Sequence, residues 1–218
     1  LARLGRPEEV VREAAALLAR YPKSDFLDEA QYALASAQAG LGRYDEARAA
    51  AERLIATKYR NERGEPAASP YNDAALYLLG KIAHVMGDLP RAVEYYGKTP
   101  FGDAKAALAF LTAKELALGP TQTVAVTPPA GAAGGAAAPA AVLPVRFKNV
   151  KEVTLKLYKV DLLVLLATKK DLGNLAGVEL TGITPLREWK AGFQSQKPFA
   201  WGEQAVEVPV PDAGAYLV

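Results

Sequence analysis

Residues 28–35 read DEAQYALA and residues 41–48 read LGRYDEAR, and small and apolar residues recur through both stretches at helical spacing. Ala35 is followed seven residues later by Gly42, and Gly42 is followed five residues later by Ala47. This spacing predicts two antiparallel α-helices that pack closely through small residues and are joined by a turn at Gly42.

The same spacing occurs again along the first half of the chain. Gly80 is followed by Gly87 and Ala92 at the same steps, and further copies are centred on Gly5 and Gly119. Glycine at such a turn accepts the positive φ that ends a helix. Because one hairpin cannot bury its own apolar face, the repeated spacing predicts a stack of hairpins, an α-solenoid.

Together with residues 77–80 (YLLG) and 87–96 (GDLPRAVEYY), these stretches resemble the tetratricopeptide repeat (TPR) over roughly residues 5 to 118. The turn glycines are 37, 45 and 32 residues apart, whereas the repeat has a period of about 34. The extra length falls in residues 59–71, which we expect to form a loop that bulges out between hairpins. Asp103 to Leu118 is expected to form a solitary terminal helix.

The resemblance places function on the concave face, which the first helix of each hairpin forms. Counting back from the turn glycines predicts the residues of this face: Glu29, Tyr32, Ser36 and Ala39 in one repeat, and Ala74, Tyr77, Lys81 and His84 in the next. Such a mixed polar and aromatic groove suits an extended peptide or a neighbouring domain better than a small metabolite. For His84 the expected role is a partly exposed helix residue, and the alternative is a groove ligand or pH sensor.

The middle of the chain has a different composition. No residue from Leu116 to Val145 carries a charge, and the run is long enough to cross a bilayer. Its prolines and glycines break helices, however, so we predict no membrane span and instead a flexible Pro/Ala/Gly linker over residues 119–142. The domains on either side of it are then residues 1–118 and 143–218.

Alternating apolar residues predict β-strands in the second half, at positions 153, 155 and 157 and again at 206, 208 and 210. The expected fold of residues 143–218 is an all-β antiparallel sandwich. Residues 187–190 (REWK) are a charged cluster of the kind found in solvated turns. Trp189 and Trp201 are expected to pack in the core, and the alternative is an aromatic patch for a carbohydrate or peptide.

Residues 146–150 (RFKNV), 153–162 (VTLKLYKVDL) and 214–218 (GAYLV) resemble the macroglobulin-like β-domains of large bacterial alpha-2-macroglobulin-like proteins. The resemblance implies a bacterial protein of the periplasm, cell envelope or secreted fraction, and it covers about 75 residues. In that family the reactive thioester uses a cysteine, and this chain has none. Both ends of the sequence read as cut, so we expect a fragment of a longer protein whose β-domain is truncated at its C-terminus.

Composition excludes several kinds of chemistry. With no cysteine and one histidine, thiol catalysis and most zinc sites are excluded, and no cofactor or metal is expected. A net charge of +2 provides no strong positive field to attract nucleic acid, so we expect no nucleic-acid partner. We therefore expect a non-catalytic scaffold that binds a protein or peptide, or other domains of its own chain. The alternatives are a glycan- or ligand-binding β-module presented by a TPR spacer, and a plain structural spacer.

Overall fold

The computed structural model of the protein describes residues 6–60, 64–120, 122–125, 139–161, 164, 183–211 and 214–218. The chain divides into two units, Leu1–Ala113 and Lys114–Val218. The first unit is mainly helical, and the second is built from antiparallel β-strands.

The helical unit places each helix against the next one along the chain, and the second helix also contacts the fourth. Its helices are α1 (Pro7–Arg20), α2 (Leu27–Gly40), α3 (Tyr44–Ala56), α4 (Asn72–Val85), α5 (Leu89–Gly97) and α6 (Gly102–Thr112). The predicted helical hairpins are therefore present as α2 with α3 and α4 with α5. No helix in the described residues is both long and apolar enough to cross a bilayer.

Two of the four predicted turn glycines, Gly42 and Gly87, have the expected backbone conformation. Gly42 has a φ of 75° and Gly87 a φ of 77°. In each turn, the amide of the residue after the glycine donates to the carbonyl five residues earlier, at 2.9 Å. This hydrogen bond closes the Schellman motif, which ends a helix with a left-handed residue. The prediction that these two glycines terminate the first helix of each hairpin is confirmed.

Small residues bring the paired helices together as predicted. Ala35, Ala47 and Ala92 are fully buried, and Gly80 is buried as well. A Cβ atom added to Gly80 would lie 2.5 Å from two ring carbons of Tyr96. The close approach of α4 and α5 therefore depends on the missing side chain at position 80.

The predicted terminal helix from Asp103 to Leu118 is wrong in its second half. Helix α6 ends at Thr112, and Glu115–Leu118 forms strand β3. The amide of Gly119 donates to the carbonyl of Pro144 at 2.8 Å, and the φ of Gly119 is not positive. Strand pairing here overrides the helical propensity of the sequence, so position 119 is not a fourth repeat turn. Gly5, the first predicted turn position, lies outside the described residues.

The long connector between α3 and α4 contains secondary structure of its own. Strands β1 (Tyr59–Arg60) and β2 (Pro66–Ala67) pair antiparallel. At the end of the connector, the buried Ser69 donates a hydrogen bond from its hydroxyl to Asp28 Oδ2 at 2.9 Å. This hydrogen bond holds the end of the predicted loop that precedes α4 at the start of α2.

In its described residues, the β unit forms two antiparallel sheets. Its strands are β3 (Glu115–Leu118), β4 (Gln122–Ala125), β5 (Pro139–Lys148), β6 (Glu152–Val160), β7 (Arg187–Gly192), β8 (Gly202–Val208) and β9 (Ala215–Leu217). Strand β5 pairs with β8 along one edge and with β3 and β4 along the other. Strand β6 lies between β7 and β9.

Alternate residues of these strands form one buried cluster. Its members come from both sheets: Leu143, Val145 and Phe147 of β5, Leu155 and Leu157 of β6, Ala191 of β7, Phe193, and Val206 and Val208 of β8. The rings of Phe147 and Phe193 stack with centroids 4.6 Å apart. The predicted alternation is confirmed for β6 and for Val206 and Val208 of β8. It is wrong at Val210, which is exposed, because β8 ends just before Pro209, a residue with no amide hydrogen to donate.

Two other expectations for this half are wrong. Residues 122–125 and 139–142 of the predicted linker belong to β4 and β5, because backbone amides and carbonyls pair in a sheet whether or not the side chains are charged. Of the other linker residues, 121 and 126–138 lie outside the described residues. The charged cluster at 187–190 is strand β7 and not a turn, since Trp189 turns inward while Lys190 makes an ion pair with Glu152 across the sheet at 2.8 Å.

Candidate protein-binding site

A cleft of about 370 Å³ lies between α2 and α4. The residues predicted for the concave face that line it are Tyr32, Ser36, Ala39, Ala74, Tyr77 and Lys81. The two helices belong to consecutive hairpins, so residues more than 40 positions apart in the sequence face one another across the cleft. The structure therefore brings together six of the eight residues that the repeat register selects.

The other two predicted residues lie elsewhere. Glu29 lines a different cleft, of about 440 Å³, between α1 and α2. His84 is half-buried, and its ring lies edge-on to Tyr96 of α5 at 6.3 Å between centroids. At the end of α4 it is Val85, one residue on, that continues the cleft lining. The repeat register therefore selects cleft residues at the centres of α2 and α4, but Glu29 and His84, near the ends of these helices, lie outside the cleft.

Aromatic neighbours outside the cleft hold the tyrosine rings that line it. Tyr32 stacks on Tyr71, with centroids 5.4 Å apart and planes inclined by 17°. Tyr77 contacts Phe101 edge-on at 5.9 Å and Tyr96 at 6.0 Å. Because a restrained ring loses little conformational freedom on binding, this support favours recognition by the two cleft tyrosines.

A buried polar contact positions Tyr71 in turn. Asp28 and Ser69 are 8% and 5% exposed. In addition to its bond to Asp28, the Ser69 hydroxyl accepts a hydrogen bond from the amide of Tyr71 at 3.0 Å. Burial first, and then the negative charges of Glu29 and Asp28, raise the pKa of Tyr71, which keeps its phenol protonated. The repeat register does not reach these residues, and the only local sequence signal is a Ser-Pro dipeptide before a helix.

The electrostatic character of the cleft is set by one cation. The Lys81 ammonium is exposed and lies 5.6 Å from the centroid of the Tyr77 ring, a cation–π contact worth about 0.5–1 kcal/mol at such a site. Within the part of the chain that the structure describes, Lys81 makes no ion pair. No acidic residue lines the cleft, and its floor includes the buried, apolar Leu78 and Ile82.

Residues 29–59 match the family model of the tetratricopeptide repeat. The match covers most of α2, the turn at Gly42 and all of α3. The predicted resemblance is confirmed for this repeat, and the hairpin of α4 and α5 reproduces its turn geometry and its close helix approach. No curated protein matches the chain.

The aromatic residues of the β unit separate into buried and exposed groups. Trp189 packs against the buried cluster of the sheets, as expected, and Phe193 belongs to that cluster. Trp201 is 42% exposed, and its ring lies 5.3 Å from Arg146 Cζ and 5.6 Å from Lys148 Nζ. Core packing therefore accounts for Trp189 but not for Trp201.

In the described residues, no three His, Asp or Glu side chains lie close enough together to hold a metal ion. The ion pairs that do occur there are mostly short-range pairs along helices or across strands. The pair of Lys148 with Glu115 of the neighbouring strand differs from the others in that the Lys148 ammonium is buried. That pair lies within a sheet and stabilises the register of β3 on β5.

Proposed function

We propose that the helical unit is a non-catalytic protein-interaction module whose cleft between α2 and α4 holds a segment of a protein partner. The TPR match suggests a protein-interaction scaffold. The observation that carries the proposal is the meeting of Tyr32, Tyr77 and Lys81, from two consecutive hairpins, around one cleft. Tyrosine is one of the residue types enriched among the hot spots of protein interfaces, and both cleft tyrosines lie beside an apolar floor.

Pull-down of partners with the full chain tests the site. We expect the variants Tyr32→Ala and Lys81→Gln to weaken capture of a cleft-bound partner, because each removes a group that faces the cleft. Tyr21→Ala, directly after α1, and Lys105→Gln, on α6, are matched controls at exposed positions outside the cleft, and they should leave capture unchanged. Circular dichroism at 222 nm should be the same for every variant.

Capture that is equally strong in the cleft variants and in the controls would contradict this assignment. Tyr77→Ala is a less suitable first variant, because the Tyr77 ring also supports Tyr96 and Phe101. Tyr77→Phe keeps that packing and removes only the hydroxyl, so it isolates what a hydrogen bond from this hydroxyl to the partner contributes to capture.

For the second unit we propose a macroglobulin-like β-sandwich in a bacterial protein of the periplasm, cell envelope or secreted fraction. The resemblance of residues 146–150, 153–162 and 214–218 supports the family, and the single buried cluster with members from both sheets supports the sandwich. Nuclear Overhauser contacts between methyl groups of Leu157 and Val206 would test the sandwich, and their absence would contradict it. Cell fractionation of the tagged protein would test the location.

The second candidate function is a ligand-binding β unit, and the exposure of Trp201 beside Arg146 is the observation that favours it. An oligosaccharide that stacks on this indole should shift tryptophan fluorescence in a saturable way. The shift should be lost in Trp201→Phe and kept in Trp189→Phe. A fluorescence signal that no oligosaccharide changes would remove the support for this candidate.

A further inference from the structure

The polar side chains that line the α2/α4 cleft can all donate hydrogen bonds. Ser36, Tyr32, Tyr44 and Tyr77 present hydroxyls and Lys81 an ammonium, and no Asp, Glu, Asn or Gln lies among the lining residues. An ammonium only donates, whereas a hydroxyl donates and accepts. Within the described residues none of these five groups takes part in a side-chain hydrogen bond, so all five are available to a partner.

The shape of the cleft selects among the ways in which a peptide is recognised. Both walls are helices, whose backbone groups bond within the helix, so a partner cannot be added as an extra β-strand. The carbonyls of a bound helix are occupied by hydrogen bonds within that helix. An extended segment of the polyproline II type leaves its carbonyls free along its length, so it can accept hydrogen bonds from donors on both walls of the cleft.

We propose, resting on the proposed function, that the occupant of the cleft is a proline-rich extended segment that carries one acidic side chain. In a polyproline II helix the backbone carbonyls point outward and are not bonded internally. Proline has no amide hydrogen, so such a segment is rich in acceptors and poor in donors, the complement of the donor groups in the cleft. Aromatic-lined grooves are the surfaces on which proline-rich segments dock.

The single acidic residue follows from charge complementarity. Lys81 is the one charged residue among those that line the cleft, and it has no carboxylate partner in the part of the chain that the structure describes. A segment with one carboxylate at this position satisfies the ammonium. A basic segment would place like charges together, and a segment with several acidic residues would leave all but one without a partner.

Binding of labelled peptides to the full chain, followed by fluorescence anisotropy, tests the proposal. The probe is Pro-Pro-Pro-Glu-Pro-Pro-Pro, and the comparison peptides replace its Glu by Gln or its prolines by alternating Ala and Ser. We expect the Gln peptide to bind about fivefold more weakly at low salt, as for a partly exposed ion pair. The Ala/Ser peptide should bind about tenfold more weakly or worse, because it must lose more conformational freedom on binding.

Two protein variants connect these preferences to the cleft. Lys81→Gln should remove the preference for Glu over Gln and keep the preference for proline, whereas Lys105→Gln should keep both. Equal binding of the proline and Ala/Ser peptides would overturn the proposal. So would a preference for Glu that survives in Lys81→Gln, tighter binding of an amphipathic helical peptide, or no binding of any peptide.

The pull-down separates failure of this inference from failure of the proposed function. If Tyr32→Ala and Lys81→Gln weaken capture of a partner while the proline-rich probe does not bind, the cleft is a binding site and the partner chemistry is wrong. If capture is also unaffected, both proposals are wrong.

Discussion

Replacing Gly80 by alanine should destabilise the helical unit, although the same change in most helices is stabilising. The new Cβ would lie 2.5 Å from Cδ1 and Cε1 of Tyr96, about 0.9 Å closer than the 3.4 Å at which ordinary contacts begin. Tyr96 is 3% exposed, so its ring cannot swing into solvent. Overpacking of this kind costs typically about 1–3 kcal/mol, against a gain in helix propensity of about 0.8–1 kcal/mol.

For an approach as close as 2.5 Å to a buried ring we expect an overpacking cost of about 2–3 kcal/mol, so the net expectation is a loss of about 1–2 kcal/mol in the free energy of unfolding. Urea denaturation followed at 222 nm measures it, because that signal comes mainly from the helices, and the helical transition must be fitted separately from that of the β unit. Gly40→Ala is the matched control. Gly40 ends α2, and a Cβ there meets nothing within 4 Å. The free energy of unfolding of Gly40→Ala should therefore be unchanged or higher by up to about 1 kcal/mol.

A double-mutant cycle identifies the cause. If the clash with Tyr96 is responsible, Gly80→Ala should cost at least about 1 kcal/mol less in a Tyr96→Leu background than in the natural chain. A Gly80→Ala variant that is as stable as the natural protein would refute the close-packing explanation. So would an equal cost in the two backgrounds.

Three further predictions concern packing, polar anchoring and pH. Gly202→Ala would place a Cβ 2.7 Å from Cζ of Phe147, which is 1% exposed, so the β unit should lose about 1–3 kcal/mol in a denaturation followed by the fluorescence of its two tryptophans. Ser69→Ala leaves Asp28 Oδ2 without this donor and should cost the helical unit about 1–3 kcal/mol by circular dichroism, and no measurable loss would contradict the anchoring role. Burial raises the pKa of Tyr96 above its ordinary value of 10.0, so the unfolded chain loses this proton first. The stability that the protonated Tyr96 phenol contributes is complete below about pH 10 and is lost as pH rises through the raised pKa. Over that pH range the urea midpoint should therefore fall less steeply for Tyr96→Phe than for the natural chain.

Local patterns were sufficient to predict the repeated hairpins. The turn glycines at 42 and 87 and the small residues at 35, 47 and 80 act through backbone φ and through contacts between adjacent helices, which depend on residues close in sequence. The six cleft residues followed from the same register, because a helix repeats its direction every 3.6 residues. The alternating strands at 155–157 and 206–208 were predictable for the equivalent reason, the two-residue period of a strand.

Errors occurred where a distant partner determines the local structure. Residues 115–118 have helical propensity and yet pair with β5, and residues 122–125 have few large side chains and pair with the same strand. Local propensity differs by less than 1 kcal/mol between most residues, so a strand partner far along the chain is enough to reverse it. The charged cluster at 187–190 became a strand for the same reason, through its register with β6.

By itself the sequence determined the helical repeat, its turns, the strand periods and the absence of cysteine chemistry, because each depends on residue type and on spacing over a few turns of chain. Only the tertiary structure decided that two consecutive hairpins enclose one cleft, and which two of the eight selected residues lie outside it. It moved Glu29 to another cleft, turned His84 toward Tyr96, and joined Asp28 to Ser69 across 41 residues. Contacts between distant segments depend on how whole helices are placed against one another, and periodicity within one helix carries no information about that placement.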